Sequence, residues 1–177
     1  MRSLPVGVFA AAILMFFLGF VFFGLLGAMH HTPLDPGTAT ALQDALAREL
    51  SATGTYMIPG EEEAWRIGPS ALVSFVAAGG ANAMGTAEGM GFLHCLVSAL
   101  LIGLALKATG GDARRRMAVA LWYGLAAAVF MHLGDPIWYG FDWRTNLIEF
   151  AFEAVMIVAG GLVLAKWFTA DSAATGG

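Results

Sequence analysis

The sequence predicts an all-α membrane protein: a four-transmembrane-helix bundle with a small α/β extracytoplasmic cap formed by the first outer loop. Three observations carry this. The chain of 177 residues is 58% hydrophobic and only 12% charged, whereas charged residues make up about a quarter of a typical soluble domain. The apolar residues gather into long runs. The ionisable residues fall between those runs or just inside their ends.

The first run, Leu4 to Met29, contains no charged residue and is long enough to cross a bilayer with some tilt. It follows Arg2, as a signal peptide would follow its basic start, but its apolar part exceeds a signal h-region, so it reads as a retained membrane helix. The next runs are Gly89 to Leu106, Met117 to about Leu133, and Leu147 to Ala165. Each extends by about a turn, which places the helices at about 4–29, 87–107, 116–134 and 146–167 of a single integral membrane domain, 1–177. The outer cap is then about 30–86.

Charge placement orients the bundle. Lys107, Arg114, Arg115 and Arg116 face one acid, Asp112, in the loop between the second and third runs, and Lys166 closes the fourth. Between His30 and Glu88 the acids Asp35, Asp44, Glu49, Glu61, Glu62, Glu63 and Glu88 outnumber Arg48 and Arg66. The positive-inside bias then predicts a multi-pass protein of a bacterial inner membrane with both termini cytoplasmic. Residues about 30–86 and 135–145 are periplasmic in this topology. Arg114–Arg116 could also form a lipid or nucleic-acid patch, but topology accounts for them and no nucleic-acid partner is expected.

Within the cap, Pro33 and Pro36 break the first helix. Thr38 or Thr40 is expected to cap a short helix running to about Ser51, with Leu42, Leu46 and Leu50 as its apolar stripe and Gly54 as its stop. Thr55–Ile58 and Ala71–Val76 are short and β-prone, and read as strands of a two- or three-stranded sheet. Pro59-Gly60 and the acidic Glu61–Glu63 lie between them, Gly79-Gly80 to Gly85 forms a flexible return, and the tail Ser172–Gly177 frays. Cys95 is the single cysteine, which excludes an intrachain disulfide. Four spans with a large strand-bearing first outer loop resemble the claudin-like architecture. The resemblance is one of topology. That pattern carries a Trp motif and two cysteines in the loop, whereas this loop has Trp65 and no cysteine, and no activity is implied.

The polar residues inside the runs are the functional candidates, because ionisable groups in spanning helices are costly and usually face a bundle interior. His132 lies about 4.5 Å deeper than Asp135, and His94 about 9 Å below Glu88, along their helices. Glu149 and Glu153 share a helix face at i, i+4. Depth therefore pairs His132 with Glu149 and His94 with Glu153. Three readings follow for this set: structural hydrogen bonding between helices, a transition-metal or haem site, and a proton relay. His30, His31, Asp135 and Met90 are secondary ligand candidates, and Met beside His would favour copper. Cys95 lies about 100° around the helix from His94 and is expected to pack rather than share its site. Trp138, Tyr139 and Trp143 form an outer aromatic belt or a stacking wall for a ring-bearing ligand such as a quinone. Trp167 and Phe168 form the inner belt, Trp122 and Tyr123 are expected to pack, and Asp142 with Arg144 to form a surface ion pair.

No phosphate-cradling GxxxxGK[ST], GxGxxG, CxxC or nucleophile elbow is present. The leading expectation is a non-enzymatic accessory or structural subunit, embedded in the lipid bilayer and assembling with itself or a larger membrane complex. Small residues (Gly24, Gly27 and Ala28; Ala99 and Gly103; Gly161 and Ala165) would mediate close helix contact. A metal- or haem-binding protein, with oxidoreductase chemistry as its enzymatic form, and a proton-coupled small-solute carrier are the alternatives. The topology is tested with reporters: a fusion after Gly177 should be active only in the cytoplasm and an insertion at Gly60 only outside, and the reverse pattern would refute the charge argument.

Overall fold

The computed structural model describes residues 3–61, 66–77 and 84–169. Glu62, Glu63, Trp65, the Gly79-Gly80 pair and the tail Ser172–Gly177 lie outside the described residues. The chain forms two compact units, Pro33–Thr86 and the remainder, Met1–Thr32 with Ala87–Gly177.

In the smaller unit, α2 (Pro36–Glu49) is started by Asp35, whose carboxylate accepts from Thr38 N at 3.0 Å. Proline at the first helical position has its φ already set and needs no N–H there. The threonines expected to cap have other roles. The Thr38 hydroxyl donates to Asp35, and Thr40 Oγ1 donates to the carbonyl of Pro36. These bonds, the Thr38 hydroxyl first, hold the Asp35 carboxyl below its ordinary value. Leu46 and Leu50 are half-buried while Leu42 is exposed, so the stripe is incomplete. Gly54 does not stop α2; it opens β1 (Gly54–Ile58), which pairs antiparallel with β2 (Ala71–Phe75). Tyr56 lies opposite Val73 and Gly54 opposite Phe75, so alternate residues share the half-buried face. Among the described residues the sheet has two strands.

Among its described residues the larger unit contains four helices long and apolar enough to cross a membrane: Leu4–Leu25, Ala87–Thr109, Ala113–Tyr139 and Trp143–Trp167. Only 17–28% of each apolar window is buried within the chain, so most of its greasy surface points outward. That is unfavourable in water and suits hydrocarbon.

The first of these is not one continuous α-helix. α1 (Leu4–Gly19) widens into a π-turn, Phe20–Leu25, and tightens into a 3₁₀ turn, Gly27–Met29. α3 (Met84–Thr109) is regular. α4 (Ala113–His132) starts on Asp112, whose side chain accepts from Arg115 N at 2.9 Å. α4 stops at His132, and a six-residue helix, α5 (Gly134–Tyr139), follows with Asp135 and Pro136 in its first turn. Gly140, at φ +68°, ends α5 in a left-handed conformation that glycine adopts without a Cβ clash. α6 (Trp143–Thr169) completes the bundle.

Successive long helices run in opposite directions. His30 meets Thr145 at one end of the bundle, and Ser3 accepts from Trp167 Nε1 at the other. α6 is the central packing element, and adjacent glycines make it so. A Cβ on Gly160 would lie 2.6 Å from Met15 Sδ of α1, and one on Gly161 would lie 2.8 Å from Ala120 Cβ of α4. Gly124 on α4 sits equally close to Val158. The buried face of α4 is therefore Ala120, Gly124 and Ala128. Trp122 and Tyr123, expected to pack, point away from the bundle at 68% and 72% exposure, because the close helix approach admits only small residues on the inner face. The stripes Ala99–Gly103 and Gly161–Ala165 are likewise used within the chain. Gly103 meets Leu4, Val8 and Leu164, while Ala99 and Ala165 are fully buried. α3 joins α1 through edge-to-face contacts of Phe92 with Phe9 and Phe16.

Gly124→Ala should destabilise the folded protein by about 1–3 kcal/mol, the usual cost of overpacking. Gly89→Ala, where nothing lies within 4 Å of the added carbon, should be neutral or mildly stabilising. Thermal unfolding in detergent measures both, and equal effects would contradict the α4–α6 packing.

Candidate functional site

At the His30 end of the bundle, α6 presents Glu149 and Glu153 one turn apart, both about a quarter exposed. The local fold brings two histidines to them. α4 terminates at His132. The irregular end of the first span turns His30 inward until it is 3% exposed. In regular α spacing the Leu26 N–H would bond the Phe22 carbonyl, but in the π-turn it bonds Val21 at 3.0 Å. His30 Nε2 instead lies 3.3 Å from the Phe22 carbonyl oxygen. The ring packs against Phe23 and Phe152, and Phe22 stacks on Phe152 at 4.5 Å.

The start of α6 completes the support. Asp142 caps the helix, accepting from Thr145 N and facing Thr145 Oγ1 at 2.8 Å. The same hydroxyl lies 2.9 Å from the carbonyl of His30, so its single proton serves two acceptors. The Thr145 bonds, backbone first, set the Asp142 carboxyl below its ordinary value, and the charge of Arg144 adds only a minor part. Asp142 is therefore chiefly a cap rather than the surface ion-pair partner expected from sequence. Asn146 is buried and donates to the Asp142 carbonyl.

Four ionisable side chains then form a row. His30 Nδ1 is 3.5 Å from Glu149 Oε1, His132 Nδ1 is 3.6 Å from Glu149 Oε2, and His132 Nε2 is 3.2 Å from Glu153 Oε2. The two inner members each use both of their polar atoms, one toward each neighbour. A carbonyl only accepts, so the tautomer of His30 that bonds Phe22 carries its hydrogen on Nε2 and turns Nδ1 toward Glu149. Charges in a partly desolvated site need partners, and acid and base alternate along this row. The contacts are also slack: buried His30 Nδ1 and His132 Nε2 have no aligned hydrogen-bond partner.

Depth matching therefore anticipated His132 with Glu149 but not the second contact of His132, with Glu153. His94 makes no ion pair with Glu153; the two line a common cavity of about 300 Å³ with Cys95, Ser98 and Met131. Adjacent His94 and Cys95, expected to be excluded from one site, both reach this cavity because of its breadth. His30, a secondary candidate, begins the row, while His31 is exposed beside it. Asp135 lies in the first turn of α5, and Met90 is 61% exposed. Trp138, Tyr139 and Trp143 are 79%, 49% and 51% exposed and line neither cavity described here. Among the described residues, no group of three or more His, Cys, Asp or Glu side chains is arranged to hold a metal ion. Comparison with protein-family models, curated proteins and solved structures finds no match to this chain.

Coupling follows the row. His132→Ala and Glu153→Ala should each destabilise, and the double variant should fall short of additivity by about 1 kcal/mol or more. His94→Ala with Glu153→Ala should be nearly additive. Denaturation in detergent measures both cycles, and strong coupling only in the second would mean that the cavity, not the row, carries the interaction.

Proposed function

We propose that this chain is a small, multi-pass, non-enzymatic membrane protein that handles protons through the row His30–Glu149–His132–Glu153, in the manner of a proton-coupled carrier. One observation carries this reading: base and acid alternate, and Glu149 and His132 each touch both neighbours through different atoms. A proton entering at one end would meet alternating bases and acids 3.2–3.6 Å apart along the row. Metal ligation would call for donors converging on one centre at about 2.0–2.2 Å, whereas these contacts run in a line. In the topology that the basic residues favour, the His30 end faces outward and Glu153 is the deeper end.

The second reading is an accessory subunit of a larger membrane complex or homo-oligomer, in which the cluster is a clasp. It is favoured by the structural bonds of His30, which tie the end of the first span to Thr145 on α6. Both readings place the protein in a lipid bilayer, as its outward-facing apolar surface favours.

Proton flux separates them. In vesicles with an enclosed pH-sensitive dye and an imposed potassium diffusion potential, the protein should acidify or alkalinise the lumen faster than empty vesicles. Glu149→Gln keeps shape and size and should reduce the flux to background while the protein remains folded. Flux that is absent in the native protein, or unchanged in Glu149→Gln, would overturn the relay and leave the clasp.

A further inference from the structure

The cavity beside Glu153 does not end there. α3 and α4 are consecutive and joined by a short turn, and both line it. A second cavity of about 230 Å³ lies between the same two helices, lined by residues such as Ala105, Leu106, Val119 and Tyr123. Leu101, Ile102 and Ile157 line both, so the two cavities adjoin, and together they make up the α3–α4 cleft. It is open along its side: Leu101 is 62% exposed, Met131 51% and Tyr123 72%. Its polarity is graded. His94, Ser98 and Glu153 lie in the part next to the row, and the other part is lined almost wholly by apolar side chains.

We infer that the cleft between α3 and α4 is a binding site for a neutral amphiphile with a hydroxyl-bearing ring as its head and a single apolar tail, a prenylated hydroquinone or phenol in chemical class. The inference deepens the relay reading by giving Glu153 a ligand, and it stands on the following grounds. Each part of the cleft is near the lower bound of small-molecule sites, about 300 Å³, and together they suit one tail rather than the two chains of a phospholipid. The head region contains a carboxylate, which opposes an anionic headgroup and attracts a hydroxyl donor. Glu153 meets His132 through Oε2, which leaves Oε1 outside that contact as an acceptor. Ser98 and His94 both donate and accept, so a second oxygen on the head can be satisfied as well. Met15, Met131 and Met156 complete the lining. Thioether side chains pack well against aromatic edges and adapt to an irregular guest. The exposed edge of the cleft lets such a molecule enter sideways from the hydrocarbon, without crossing water.

The test uses the full-length protein in phosphatidylcholine nanodiscs with decyl-substituted hydroquinone as the probe, its binding followed by equilibrium partition against empty discs. Saturable binding is expected. Decylbenzene, which lacks the hydroxyls, should bind about tenfold more weakly, as should decanoate, because a buried acceptor or charge is left unmatched. Leu101→Trp fills the cleft from its exposed wall, so the fold should persist by thermal unfolding while binding falls about tenfold or more. No saturable binding, decylbenzene binding as tightly as the hydroquinone, or an unaffected Leu101→Trp variant would each overturn the assignment. Binding with no proton flux would leave this site standing and the relay refuted. Flux with no binding would do the opposite.

Discussion

Everything in the larger unit depends on α6 touching two helices at once. Two adjacent glycines on one helix point about 100° apart, so removing both side chains clears two neighbouring faces rather than one. Met15 of α1 takes the first and Ala120 of α4 the second. Lipid supplies no hydrophobic drive for helices to associate, so close van der Waals approach has to supply the cohesion. The same close approach fixes the depth of α4 relative to α6. It is this depth that brings His132 level with the gap between Glu149 and Glu153.

The polar row is tolerated because acid and base alternate along it. Ionised glutamates at such a position would lose several kcal/mol of solvation each without partners. Here each carboxylate faces at least one ring nitrogen. The arrangement also explains why the support around His30 is so full. The Phe22 carbonyl, the aromatic rings of Phe23 and Phe152, and the Thr145 hydroxyl fix its orientation, and that orientation decides which of its nitrogens meets Glu149.

Much of this was legible in the sequence. The strands were visible as short β-prone segments beside Pro59-Gly60, and the helices as long apolar runs. Glu149 and Glu153 announced a shared face by their spacing. What depth matching missed was the second partner of His132, because it gives each histidine one carboxylate. An imidazole has two nitrogens and can bridge acids on successive turns, which His132 does. The place of His30 was hidden for a different reason: its inward turn depends on a π-turn, and Phe20–Leu25 is an apolar run like those around it. The aromatic density of Phe22, Phe23 and Phe152 was the available signal, since rings at that spacing can enclose a histidine. Trp122 and Tyr123 were misplaced because bulk was equated with burial. On α4, which meets α6 through alanine and glycine, the large side chains Trp122 and Tyr123 face outward.

The π-turn has a consequence of its own for how this segment tolerates change. A π-turn is a helix with one residue too many for its hydrogen bonds. Loss of any one residue between Phe20 and Leu25 would restore ordinary spacing, give the Phe22 carbonyl back to its own helix and take away the acceptor that orients His30. Exchange of one bulky apolar residue for another would leave that count intact. Over this stretch, therefore, the length of the chain carries information that the identity of its residues does not.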